Sequence, residues 1–105
     1  MFYDYASLAD KLKIPDNATE YWCFNNNLSE LPELPKSLKI LSCSNNTLTL
    51  LPELPQSLEL LSCNDNNIKY LSYNNCQILK NIRLSILNNP VSEGFNSDEE
   101  FQENL

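Results

Sequence analysis

The sequence predicts an α+β repeat fold. It is a short solenoid of about four rungs, with a parallel β-sheet on its concave face, an N-terminal helical cap and a helix near the C-terminus. Three observations predict it. Leu-Pro-Glu-Leu-Pro occurs at 31–35 and again at 51–55. Segments beginning at Pro15, Pro35 and Pro55 align without a gap at a period of twenty. Within these segments apolar and polar residues alternate, as in Leu41-Ser42-Cys43 and Leu61-Ser62-Cys63.

The recurring columns are specific. Ala18, Leu38 and Leu58 align, as do Tyr21, Leu41 and Leu61, and then Cys23, Cys43 and Cys63. Asn26, Asn46 and Asn66 form a further column, followed by Leu28, Leu48 and Ile68, and Leu31, Leu51 and Leu71 close the units. Alternation with period two implies one short strand per unit. Beyond each strand the chain must turn, which leaves backbone groups in need of partners. An Asn amide both donates and accepts, so the aligned Asn are expected to form a buried structural ladder. Pro32 and Pro35 restrict φ and favour extended backbone, giving a narrow return path with Leu31 and Leu34 inward and Glu33 outward. A helix on that path needs a longer repeat. A degenerate fourth unit is read in 76–90, where Leu79, Ile82, Leu84 and Leu87 keep the apolar spacing after a slip of one residue. Asn88 or Asn89 completes it.

The unit L-x-x-L-x-C-x-x-N-x-L resembles a leucine-rich repeat with Cys at a small core position, over residues 15 to 90. Its LPELPxSLxxLSCxxNxL form is similar to the 20-residue repeats of bacterial secreted effectors of the invasion plasmid antigen H and Yersinia outer protein M type. Cys-bearing versions are also familiar from large DNA viruses. The resemblance implies protein recognition by the repeat face. It carries no ubiquitin-ligase activity here, because no catalytic domain follows the repeats in this sequence.

The expected domains are an N-terminal helical cap at 1–14, the solenoid at 15–90, and an acidic cap or tail at 91–105. Within the first, 3–13 reads as a helix with Tyr5, Leu8, Ala9 and Leu12 on one stripe, ended by Pro15. Within the last, Ser97 and Glu100 match a capping box, with Phe101 and Leu105 placed to dock on the final rung.

Formal net charge is −7 and histidine is absent. Residues 93–105 hold five acids (Glu93, Asp98, Glu99, Glu100, Glu103) and no base. Nucleic acid and anionic membranes need clustered Lys and Arg, so neither is an expected partner. The N-terminus lacks a basic region followed by an apolar stretch, so a cytoplasmic location is expected, in the producing cell or in a host. The four Cys are expected to be reduced. No metal or other cofactor is expected without His or Cys-x-x-Cys. With no histidine, no activated nucleophile and no phosphate-cradling loop, no catalytic residue is assigned and no enzyme is expected.

The expected function is therefore that of a non-catalytic protein-binding module, an inhibitor or effector that sequesters a host or bacterial protein through the concave face. The alternatives are a homo-oligomeric assembly protein and an acidic nucleic-acid mimic. The outward residues expected to bind are Trp22, Phe24, Ile40, Leu60, Asn64, Asp65 and Arg83. Trp22 and Phe24 sit where later units carry Ser or Asn, Ile40 and Leu60 extend the apolar strip, and Arg83 is the only Arg. Against this stands a fold in which the N-terminal helix covers Trp22 and Phe24.

Overall fold

A computed structural model describes residues 14–105 and the backbone of 2–4. It is an α+β fold built on a five-stranded parallel sheet in chain order. The strands are β1 (Phe2–Asp4), β2 (Glu20–Trp22), β3 (Ile40–Ser42), β4 (Leu60–Ser62) and β5 (Arg83–Ser85). Two helices complete it, α1 (Tyr73–Leu79) and α2 (Asp98–Glu103), with a 3-10 turn at Pro90–Ser92.

The period of twenty becomes strand register. Tyr21 lies beside Leu41, and Leu41 beside Leu61. These three side chains are fully buried, as are Cys23, Cys43 and Cys63 two residues on. Ala18, Leu38, Leu58, Leu28, Leu48 and Ile68 fill the remaining core columns. Each unit thus covers its neighbour's apolar side chains, and burial of one Leu contributes about 1.5–3 kcal/mol.

The Asn column holds successive units together. Asn46 Oδ1 accepts from the backbone N–H of Asn26 and of Leu28, each at 2.9 Å. Its Nδ2 donates to the carbonyls of Cys23 and Cys43, at 3.1 and 3.0 Å. Asn66 repeats this one unit later, accepting from Leu48 N–H and donating to Cys43 and Cys63. Just before this column Asn25, Asn45, Asp65 and Asn88 take positive φ, a conformation that Asn and Asp tolerate better than other non-glycine residues.

The two Leu-Pro-Glu-Leu-Pro segments are extended return paths without helix or strand. Leu31, Leu34 and Leu54 are buried, while Glu33 and Glu53 are exposed. The second proline of each begins a turn, in which Leu38 N–H and Leu58 N–H reach the carbonyls of Pro35 and Pro55 at 3.2 Å. Ser37 and Ser57 tie each turn to the unit before, by donating to the carbonyls of Ala18 and Leu38 at 2.6 Å.

The third return path differs. Ser-Tyr-Asn replaces Pro-Glu-Leu, and α1 forms, capped where Ser72 Oγ accepts from Asn75 N–H at 3.1 Å. Helix rises about 1.5 Å per residue against about 3.1 Å for polyproline II, so more residues must span the same return. Leu84 accordingly pairs with Leu61, a spacing of 23 instead of 20. The fourth unit is therefore displaced by three residues, not by one. Arg83 lies beside Leu60, Ile86 takes the Cys column, and Asn89 takes the Asn column, accepting from Ile68 N–H and donating to Cys63 and Ile86.

At the C-terminal end α2 packs against β5, with Phe101 buried and Leu105 packed partly buried on the core. Ser97 Oγ accepts from Glu100 N–H at 3.0 Å. At the other end the expected helix over 3–13 does not start as read. Tyr3 and Asp4 belong to β1, which pairs with β2. The free edge of β2 offers unpaired backbone groups, and Phe-Tyr is a good strand former. The rest of that expected helix, 5–13, lies outside the described residues.

Asn46→Ala leaves buried backbone groups of two units without partners and is expected to cost about 3 kcal/mol or more. Asn26→Ala, at an exposed position, is expected to cost under about 1 kcal/mol. Urea unfolding in reducing buffer measures both, and equal losses at the two positions contradict a ladder that couples the units.

Candidate functional site

In β2 to β5 the central residue points inward, so the residues on either side form the outer face of the sheet. Register arranges them in two rows. One runs Glu20, Ile40, Leu60, Arg83, and the other Trp22, Ser42, Ser62, Ser85. Six of the seven residues expected to bind, Asp65 apart, have their positions set by these rows or by the alternation that continues them.

Trp22 is half-buried and Phe24 is 46% exposed. Their rings pack edge to face, with centroids 6.3 Å apart and planes at 72°. Trp22 Nε1 donates to Glu20 Oε1 at 3.1 Å, which holds the indole over its own strand. Ile40 and Leu60 are half-buried in the adjacent row, and Arg83 is exposed at its end.

Asn64 does not project as a free polar contact. Its Oδ1 accepts from Ser44 Oγ at 2.7 Å, Ser62 Oγ at 3.1 Å and Ser85 Oγ at 3.0 Å. Ser44 and Ser62 hydroxyls are themselves 2.8 Å apart. Asn64 Nδ2 donates to Asp65 Oδ2, and Asn88 Nδ2 to Asp65 Oδ1, both at 2.8 Å. Asn64 and Asp65 thus organise a floor of hydroxyls across β3, β4 and β5. The sequence signal for this floor was the run of outward Ser at 44, 62 and 85.

No family model, curated protein or solved structure matches this chain. The chemistry of the site is therefore read from its own groups. Among the described residues no set of three or more Cys, Asp or Glu is placed to hold a metal ion, and no helix is long and apolar enough to cross a membrane. Cys23, Cys43 and Cys63 are buried and Cys76 is half-buried, each outside any disulfide. Burial, reinforced by Cys63 and Cys23, pushes the Cys43 thiol well above the ordinary range. Burial, reinforced by Asp98, does the same to Cys63. Both stay neutral near pH 7, and a neutral thiol is a poor nucleophile.

A thiol reagent is expected to label Cys76 in the native protein, and Cys23, Cys43 and Cys63 only as it unfolds. The raised thiols also set a pH dependence. Their contribution is complete below about pH 8.5, the ordinary thiol pKa, and is lost above it, because the unfolded chain ionises first. Each such thiol removes up to about 1.4 kcal/mol per pH unit. Urea midpoints are expected to fall between about pH 8.5 and 10, and to fall less in Cys43→Ala/Cys63→Ala.

Proposed function

We propose that the chain is a short leucine-rich-repeat solenoid that acts as a non-catalytic protein-binding module through the outer, concave face of its sheet. One observation carries this reading. The register sets an aromatic pair, half-buried Trp22 and exposed Phe24, beside the aliphatic side chains of Ile40 and Leu60, with Arg83 closing the row. Clustered Trp, Phe and Arg beside small polar residues is the composition of a protein-binding hot spot. A surface that served only solubility has no need of it.

Two further points support the reading. The repeat resembles units known for protein recognition, and an effector or inhibitor role of that kind works by occupying a partner. The Cys43 and Cys63 thiols are neutral and histidine is absent, so the chain is not read as an enzyme. The hydroxyl floor fits this face, because its groups are already paired within the chain and cost little further desolvation on binding.

Affinity capture followed by mass spectrometry, on the wild type beside Trp22→Ala/Phe24→Ala, tests it. Loss of two central aromatics is expected to weaken a bound partner by about 2 kcal/mol or more. A partner recovered equally by both proteins places recognition elsewhere.

A further inference from the structure

The hydroxyl floor carries an imbalance of donors and acceptors that follows from its own hydrogen bonds. Asn64 Nδ2 faces the Asp65 carboxylate at 2.8 Å, which fixes the amide with its oxygen toward the serines. Ser85 Oγ donates to that oxygen at 3.0 Å. Ser44 and Ser62 donate to it or to one another, at 2.7 to 3.1 Å. A hydroxyl carries one proton, so the protons of all three serines are used inside the floor. Outward, these three oxygens offer lone pairs. Ser42, the remaining hydroxyl of the row, is buried and stands outside the floor. Asp65 adds a negative charge. It is exposed, accepts from the Asn64 and Asn88 amides, and meets no cation among the described residues.

An aromatic border completes the surface. Phe24 occupies the position that Ser44 and Asn64 hold in the next two units, and Asn25 N–H reaches the Ser44 carbonyl at 3.1 Å. The exposed Phe24 ring therefore stands beside the floor, with Trp22 packed edge to face on it. All of this lies on the β3 to β5 side of β2, away from β1. A ligand group that brings acceptors meets lone pairs and a carboxylate. A group that brings only donors, carries positive charge and presents a flat face to a ring matches every feature. Guanidinium is that group. It has five donors and no acceptor, is always charged, and stacks on aromatic rings. An ammonium offers three donors from a single point, and neutral amides bring an acceptor of their own.

We propose that the hydroxyl floor and its aromatic border take an arginine side chain of the protein partner. The proposal rests on the reading of this face as a protein-binding surface, and names the chemistry of the group received there. Asp65 supplies the opposing charge, the serine oxygens accept from the guanidinium, and Phe24 borders its flat face and stem. Arg83 lies two residues before Ser85, in the other row, and opposes a cation on the floor.

Proton–nitrogen correlation NMR on the reduced full chain, titrated with N-acetyl-arginine amide at constant ionic strength, tests it. The range from about 0.1 to about 50 mM brackets a millimolar Kd. Backbone signals of Ser44, Ser62, Asn64, Asp65 and Ser85 are expected to move and saturate. N-acetyl-citrulline amide, of like shape without the charge, is expected to leave them nearly in place. Asp65→Asn puts there the residue that already takes positive φ at Asn25, Asn45 and Asn88, so the fold is kept. It is expected to raise Kd about threefold or more. Arg83→Gln is expected to lower Kd, and Glu99→Gln, in the acidic C-terminal segment, to leave it unchanged. Shifts confined to 93–105, an equal response to the citrulline compound, or an Asp65→Asn Kd equal to that of wild type overturns the proposal. N-acetyl-lysine amide binding as tightly overturns it as a guanidinium site. Each of these outcomes leaves the protein-binding reading to the aromatic-pair capture experiment, so the two fail separately.

Discussion

The side-chain amide of Asn46 is the contact on which the rest of the structure depends. One oxygen and one nitrogen satisfy four backbone groups drawn from two consecutive units. The geometry leaves little freedom. The amide must lie between the carbonyls of Cys23 and Cys43, which sets the distance between neighbouring strands and forbids a slip of one residue. A slip would move the buried leucines to the outer face and break the amide contacts at the same time. Stability and register are therefore secured by the same residue, and Asn66 and Asn89 repeat the device along the sheet.

Rigid register converts a linear repeat into a patterned surface. Positions twenty apart become lateral neighbours, so variation between units appears as variation across the face. Conserving the inward columns while changing the outward ones alters that face without disturbing the core. Beside the Ser42, Ser62 and Ser85 of β3, β4 and β5, β2 carries Trp22. The gradient from large to small along one row, and from acid to base along the other, is what gives the face a direction. A uniform face cannot distinguish one docking orientation from another.

Most of the fold was legible because its signals are local and repeated. The Leu, Cys and Asn columns recur at equal spacing, and each has a single structural use. The third return path was not legible for the opposite reason. Ser72-Tyr73-Asn74-Asn75 lacks the prolines that mark an extended return, and without an aligned fourth unit the length of the insertion could not be counted. Its helix was detectable only through Ser72 as a cap, a weak signal beside four strong columns. β1 was misread because Tyr5, Leu8 and Leu12 have helical spacing, while Tyr3 and Asp4 take part in a contact with β2 that no local pattern announces. Among the binding candidates, Trp22, Ile40 and Leu60 followed from alternation alone. The intramolecular commitment of Asn64 did not, because its three hydroxyl donors come from three different units.

The C-terminal segment shows how such a sheet is ended. Beyond β5 no further Asn column exists, yet the backbone of the fourth unit still needs partners. Asp98 supplies the oxygen, accepting from Ile86 N–H at 2.8 Å and Leu87 N–H at 3.2 Å. Gln102 supplies the amide nitrogen, donating to the carbonyls of Leu79 and Ile82, each at 2.7 Å. Together they imitate, from one short helix, what Asn46 does between strands. Phe101 meanwhile covers the apolar end, packed edge to face on Phe95 with centroids 5.3 Å apart. The acidic residues of this segment thus have a local use, since carboxylates at the start of α2 also favour its helix dipole. With Asp98 and Phe101 engaged in closing this end, the segment is committed to the fold and poorly suited to act as an independent recognition tail. A covered strand edge also resists lateral pairing with another chain. At this end of the molecule the proposed recognition surface is the outer face, where exposed Arg83 follows Leu60 in its row.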